Sequence, residues 1–142
     1  MSILTKFDAL LSEDLADDYW GDAGIDFACK IATSLSEVDW RNLSTMWKLR
    51  PCKWQCRFAN ILDGVDSKYG IPILFTMLSS HDDTVVLSVV DSLDGLDNSF
   101  EKYVCFADPG VLERLKDVQR LVNEDEYRII QEVYDRIFTE LA

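Results

Sequence analysis

A single histidine, His81, stands in a chain of 142 residues. Acid–base and nucleophilic triads need an imidazole beside the reacting group, so only a residue folding next to His81 could use one. Its setting, SSHDD, reads as a solvated turn, and no catalytic residue is assigned. A glycine-rich phosphate loop is lacking as well, since the six glycines are scattered. The acids Asp14, Asp17, Asp18, Asp22 and Asp26 lack the alternating ligands and the placed glycine and glutamate of a calcium-binding loop. Four cysteines occur, Cys29, Cys52, Cys56 and Cys105. Cys52 and Cys56 are one helical turn apart, but the spacing to the other two is wide and irregular for a zinc framework. They are expected to pack as small apolar groups, with no metal and no cofactor. No apolar run approaches the roughly 18–20 residues that would span a bilayer. The start, MSILTKFDALLSED, has one lysine and turns acidic at once, unlike a secretion signal. The expectation is a cytoplasmic protein with no membrane partner and no enzymatic activity.

Bases are scarce relative to acids: 14 Lys and Arg against 26 Asp and Glu, a formal net charge of -12. Such a surface repels nucleic acid and anionic membrane and steers cationic partners. The charge is unevenly placed. From Asp8 to Asp26 inclusive there are seven acids and no base, and from Asp63 to Glu101 inclusive eight acids and one base. From Trp40 to Leu62 the balance inverts, with five bases and no acid. In that island Trp40, Trp47 and Trp54 recur every seven residues between Arg41, Lys48, Arg50, Lys53 and Arg57. Interleaved aromatics and bases can bind single-stranded nucleic acid. Pro51 interrupts the heptad, however, and packing tryptophans with bases that neutralise neighbouring acidic helices are the preferred reading.

Hydrophobic residues make up 48% of the chain and fall at helical rather than alternating spacing. Residues 3, 4, 7, 10, 11 and 15 form a first stripe, and Ile25, Ala28, Ile31, Ala32 and Leu35 a second. Ser36, followed by Glu37 and Asp39, marks a helix start carrying Trp40, Leu43, Met46 and Trp47 inward. Pro51 suits the first turn of the next helix, whose stripe is Trp54, Phe58, Ile61 and Leu62 and whose end is Asp63-Gly64, read as a left-handed glycine cap. Pro72 is taken to open a helix with Ile73, Leu74, Met77 and Leu78 inside, and Asp82 or Asp83 to cap one with Val85, Val86, Val89, Val90 and Leu93 inside. The last pair covers residues 109–122 and 124–141. Pro109 stands at its start, Leu112, Leu115, Val118 and Leu121 face inward, and Tyr127, Ile130, Val133, Tyr134, Ile137 and Phe138 do so on the second helix. No alternating strands flank a hairpin turn, so the fold class expected is all-α in one domain, residues 1–142.

The turn ILDGVD at 61–66 returns as SLDGLD at 92–97, with Gly64 falling on Gly95. The same thirty-one-residue offset carries Leu43 onto Leu74, Met46 onto Met77, Phe58 onto Val89, Ala59 onto Val90 and Leu62 onto Leu93. A helix pair recurring at such a period is the mark of an α-solenoid, in which each hairpin buries its apolar face against the next. Units of about 37–66 and 68–97 follow, with caps at 1–36 and 100–142.

CRFANIL at 56–62, with Arg57 and Ala59, resembles the start of the second helix of a HEAT repeat. IPILFTMLSSHDDTVVLSVVDSL at 71–93 is similar in its full course, although Ser88 stands where the repeat would have its arginine. The resemblance covers residues 37–97. A small, acidic, HEAT-like chain of this kind resembles the immunity proteins of bacterial contact-dependent inhibition and polymorphic toxin systems. That resemblance implies a stoichiometric inhibitor that occludes one cognate toxin domain, basic and nuclease-like. The residues expected to hold it are Asp17, Asp18, Tyr19, Trp20, Asp22, Asp63, Asp66, Asp82, Asp83, Asp94 and Asp97, with Tyr19 or Trp20 as an exposed anchor. A HEAT-like scaffold binding a host protein or peptide is the alternative.

Overall fold

Val85, Val86, Val89 and Val90 would suit a strand by propensity, but they lie on one buried face of a helix, each no more than 1% exposed. That helix typifies the computed structural model, which describes residues 2–13, 20–96 and 99–141, the side chains of Asp22 and Ser99 excepted. Among these residues there is no strand. The α-helices, in order, are α1 (Ile3–Ser12), α2 (Ile25–Ala32), α3 (Glu37–Met46), α4 (Cys52–Leu62), α5 (Ser67–Met77), α6 (Asp83–Asp94), α7 (Ser99–Lys102), α8 (Val111–Gln119) and α9 (Glu124–Leu141). A π-helical turn, Trp20–Gly24, leads into α2, and short 3-10 turns follow α3 and α7.

Side-chain caps fix the starts. Ser36 and Asp39 form a reciprocal capping box on α3, with Asp39 N–H donating to Ser36 Oγ and Ser36 N–H to Asp39 Oδ2. Asp66 accepts from Lys68 N–H at the head of α5, and Asp82 from Thr84 N–H at the head of α6. The Asp66 cap starts α5 upstream of Pro72, which lies inside the helix rather than at its opening. Gly70 is inside α5 too, because the helix crosses the end of α4 there. A β-carbon at Gly70 would run into the Leu62 carbonyl oxygen and sit 2.8 Å from Val65 Cγ2. Gly64 and Gly95 do not use the left-handed conformation expected of them, since no described glycine has positive φ. Gly64 is instead small because Cys29 Sγ lies 3.2 Å from where its β-carbon would stand.

Helices α4 and α6 form the centre. They touch each other along their length; α4 also meets α1, α2 and α5, and α6 also meets α5, α8 and α9. The two run in the same direction. Cys52, at the head of α4, shares one cleft with Asp82 at the head of α6, and near their far ends Ser92 Oγ donates to the Ala59 carbonyl at 2.7 Å. Trp54, Phe58, Ala59, Ile61 and Leu62 of α4, Leu74 and Met77 of α5, and Val89 and Leu93 of α6 build the core around them, all at most 1% exposed. Trp40 of α3 stacks on Tyr69 of α5 at 5.6 Å. The helix bounds repeat at the thirty-one-residue offset: Met46 and Met77 end α3 and α5, and Cys52 and Asp83 begin α4 and α6.

Three expectations about packing are corrected. Leu121 is 71% exposed because α8 ends at Gln119 and the chain has already turned. Tyr127 and Phe138 are about half exposed, the latter because α9 has 18 residues and its partner α8 only 9. Pro109 precedes α8 in a turn where Gly110 N–H donates to Asp108 Oδ1, and the helix begins at Val111. Leu15 lies outside the described residues.

Candidate functional site

The parallel course of α4 and α6 brings their carboxyl ends side by side, and the acids there form an edge. Asp63 follows α4 and Asp94 closes α6; neighbouring packed helices place such ends about 8–10 Å apart. Asp91 lies one turn back from Asp94 on the same face of α6, and Glu126 of α9 adds its charge beside it. On the α4 side, Cys29 of α2 is held between Asp63 and Asp26 and points its thiol at the Ile61 carbonyl, 3.8 Å away. Five carboxylates are thus involved: Asp26 and Asp63 beside Cys29 on the α4 side, and Asp91, Asp94 and Glu126 beside one another on the α6 side.

Asp63, Asp91 and Asp94 sit against the local physics, whereas Asp26 and Glu126 lie in the favourable first turns of α2 and α9. Helix carboxyl ends carry partial negative charge, so an acid there is destabilising. None of the five has an ion-pair partner among the described residues. Burial pushes the Asp63 carboxyl above its ordinary pKa. Burial likewise raises that of Asp91, and the charges of Glu126 and Asp94 raise it further. Elsewhere acids are matched. Asp8 of α1 accepts from Arg50 Nε at 2.9 Å and Nη2 at 2.8 Å, and from Trp54 Nε1 at 2.9 Å. The Arg50 hydrogen bonds hold the Asp8 carboxyl below the usual carboxylate range.

The residues expected to bind a partner divide by their place in the fold. Asp63 and Asp94 stand on the edge described, with Asp66 in the turn after Asp63, where its side chain is engaged as a helix cap. Asp82 and Asp83 lie at the opposite end of α6, about 16 Å away by helix rise. Both are engaged there, Asp82 as a cap and Asp83 with Arg114 Nη2 at 2.7 Å. Trp20 is not an exposed anchor. It is 4% exposed, its ring covered by the Arg57 guanidinium at 5.2 Å, and Arg57 in turn donates to the Glu13 carbonyl at 2.6 Å at the end of α1. Phe27 of α2, next to Asp26, is the aromatic left 55% exposed. Asp17, Asp18, Tyr19, Asp97 and the side chain of Asp22 lie outside the described residues. Asp91 and Glu126 were not anticipated. The spacing of Asp91 and Asp94 puts them on one helix face and could have revealed the first, whereas Glu126 arrives by tertiary packing.

At the amino ends of α4 and α6 lies a cleft of about 480 Å³ lined by Trp47, Lys48, Cys52, Gln55, His81 and Asp82 among others. Fold and sequence therefore bring the one histidine near a cysteine. Burial and the Asp82 carboxylate push the Cys52 thiol up to about 12, so it keeps its proton and is a poor nucleophile at neutral pH. The tryptophans of the basic island are core residues, each no more than 4% exposed. The cysteines are not the buried thiols expected: Cys52 and Cys105 are exposed, Cys29 and Cys56 half-buried.

The class defined by these features is an all-helical protein with an unpaired acidic edge and, among the described residues, no helix long and apolar enough to cross a membrane. Compared with protein families, curated proteins and solved structures, the chain matches none.

Proposed function

We propose that the protein is a cytoplasmic inhibitor of the immunity type. It binds one cognate, basic, nuclease-type toxin domain and blocks that domain's path to its substrate. The observation that carries this reading is the acidic edge. Carboxylates set against two helix dipoles and against one another weaken the fold, and a cationic surface laid over them relieves both. A surface built to hold phosphates would meet these carboxylates as phosphate mimics, and Phe27 offers an apolar contact beside them. In this reading α3–α4 and α5–α6 are two HEAT-like hairpins stacked in a short solenoid, with the flanking helices as caps. The shared helix bounds and the parallel course of α4 and α6 support that arrangement. Nucleic acid itself is repelled by the net charge of -12.

The experiment is to co-express the protein with the toxin domain encoded immediately upstream of its gene, and to purify the complex. Protected cells and a one-to-one complex are expected. No toxin gene upstream, together with no basic protein recovered by pull-down, would remove the immunity reading.

A HEAT-like scaffold that binds a host protein or peptide is the second reading, and α9 favours it. Tyr134 and Phe138 stack there at 6.2 Å, and Phe138 and Leu141 are each about half exposed. Capture of a partner that is lost with Phe138→Ser but retained when the acidic edge is reversed would favour the scaffold.

A further inference from the structure

We propose that Cys52 and Cys56 are a redox modification site, closing reversibly to a disulfide at the head of α4. Their sulfurs lie 4.0 Å apart. Helix geometry sets α-carbons four residues apart at about 6.2 Å, inside the range of about 4.4–6.8 Å that a disulfide spans. It sets the β-carbons at about 5–6 Å, wider than the roughly 3.5–4.5 Å a disulfide needs, so closure requires the first turn of α4 to rearrange. Cys52 is the first residue of α4. Its own N–H is outside the helix ladder, so the turn can tighten at that end. Cys52 is exposed and Cys56 half-buried, within reach of a small disulfide. The other two thiols have no such neighbour among the described residues. Cys29 faces a backbone carbonyl, and Cys105 stands exposed without a second sulfur.

The oxidant required is a low-molecular-weight disulfide such as oxidised glutathione. Cys52 holds its proton tightly, so Cys56 enters first. Its thiolate attacks one glutathione sulfur, the glutathione S–S bond breaks, and one glutathione leaves as thiolate and takes a proton from water. Cys52 then gives its proton to water, its thiolate attacks Cys56 sulfur in the mixed disulfide as the slow step, and the second glutathione leaves as thiolate and takes a proton from water. Two protein thiols are oxidised and one disulfide is reduced to two thiols. Cys52 shares its cleft with Asp82, the cap of α6, so closure changes the surroundings of the neighbouring helix's head.

The test uses full-length protein carrying Cys105→Ser, treated with excess oxidised glutathione and followed by intact mass, free-thiol count and peptide mapping. Expected are the loss of two thiols and two hydrogen atoms per chain, no retained glutathione, and a Cys52–Cys56 cross-linked peptide. Adding Cys52→Ser should trap one glutathione on Cys56. Adding Asp82→Asn, which still caps the helix, should speed closure several-fold by removing the charge that keeps the Cys52 proton in place. A lasting glutathione adduct on the Cys105→Ser protein, a disulfide between chains, or no reaction at Cys56 in the Cys52→Ser variant would each overturn the proposal.

Discussion

Single residues show where sequence rules and tertiary contacts disagree. Helix propensity alone favours Gly70→Ala by about 1 kcal/mol, but the added methyl collides with the Leu62 carbonyl, a backbone atom that cannot step aside. Overpacking of this kind costs about 1–3 kcal/mol, so Gly70→Ala should lower stability in urea unfolding. Gly95→Ala meets nothing within 4 Å at a φ of -79° and should be neutral or gain up to about 1 kcal/mol. If Gly70→Ala stabilises, the close crossing of α4 and α5 is wrong. Charged residues give opposite pH signatures. The folded pKa of Asp91 is raised, so its ionised form opposes folding at neutral pH. Asp91→Asn should then raise the unfolding midpoint at pH 7, and the gain should fade as pH drops through that raised pKa. Asp8 is the converse: its folded pKa is lowered, and its contribution is present above the unfolded pKa and lost as pH falls through the folded one. Asp8→Asn should destabilise at pH 7 and matter less in acid; equal effects of both variants across pH would contradict these environments.

At the scale of elements, the helices and the core stripes of α3 to α6 are legible in the sequence, because their period is strict and Ser36 and Asp82 are strong caps. Trp40, Leu43, Trp54, Phe58, Ile73, Leu74 and the valines of α6 are all buried as their spacing requires. Where α9 outruns α8, periodicity misleads, since a stripe shows what could be buried and not whether a neighbour reaches it. Pro72 misleads for another reason. A proline suggests a helix start, but the Asp66 cap four residues before Gly70 begins the helix earlier, and the later proline is tolerated. The pairing of α4 with α6 rests on packing and on one buried polar link, Ser92 Oγ to the Ala59 carbonyl. Ser92→Ala should cost about 1 kcal/mol, and Phe58→Ala, at the fully buried ring of α4 that packs on Phe7 of α1, about 3–5 kcal/mol. Chemical denaturation would check both. A Phe58→Ala loss no greater than that of Ser92→Ala would mean that α4 is not central.

For the whole molecule, charge is legible from composition, but its arrangement is not. The repeated acidic turn points to Asp63 and Asp94, and the fold sets them together because α4 and α6 run parallel. The same repeat suggests Asp66 equally, and the SSHDD turn offers Asp82 and Asp83, yet those acids are engaged in caps and an ion pair, a distinction made only by hydrogen bonds. Glu126 joins the edge from a helix far along the chain, and Trp20 leaves the surface to lie under Arg57; neither has a local signal. The central claim, that the edge of Asp63, Asp91 and Asp94 holds a basic toxin domain, is tested most directly by survival of cells expressing that toxin. The comparison is between the wild type, a variant with Asp63→Lys, Asp91→Lys and Asp94→Lys, and a charge-matched control with Glu113→Lys, Glu132→Lys and Glu140→Lys, all verified as folded by circular dichroism. Wild type and control should protect while the edge variant fails; protection by the edge variant equal to that of the wild type would contradict the claim.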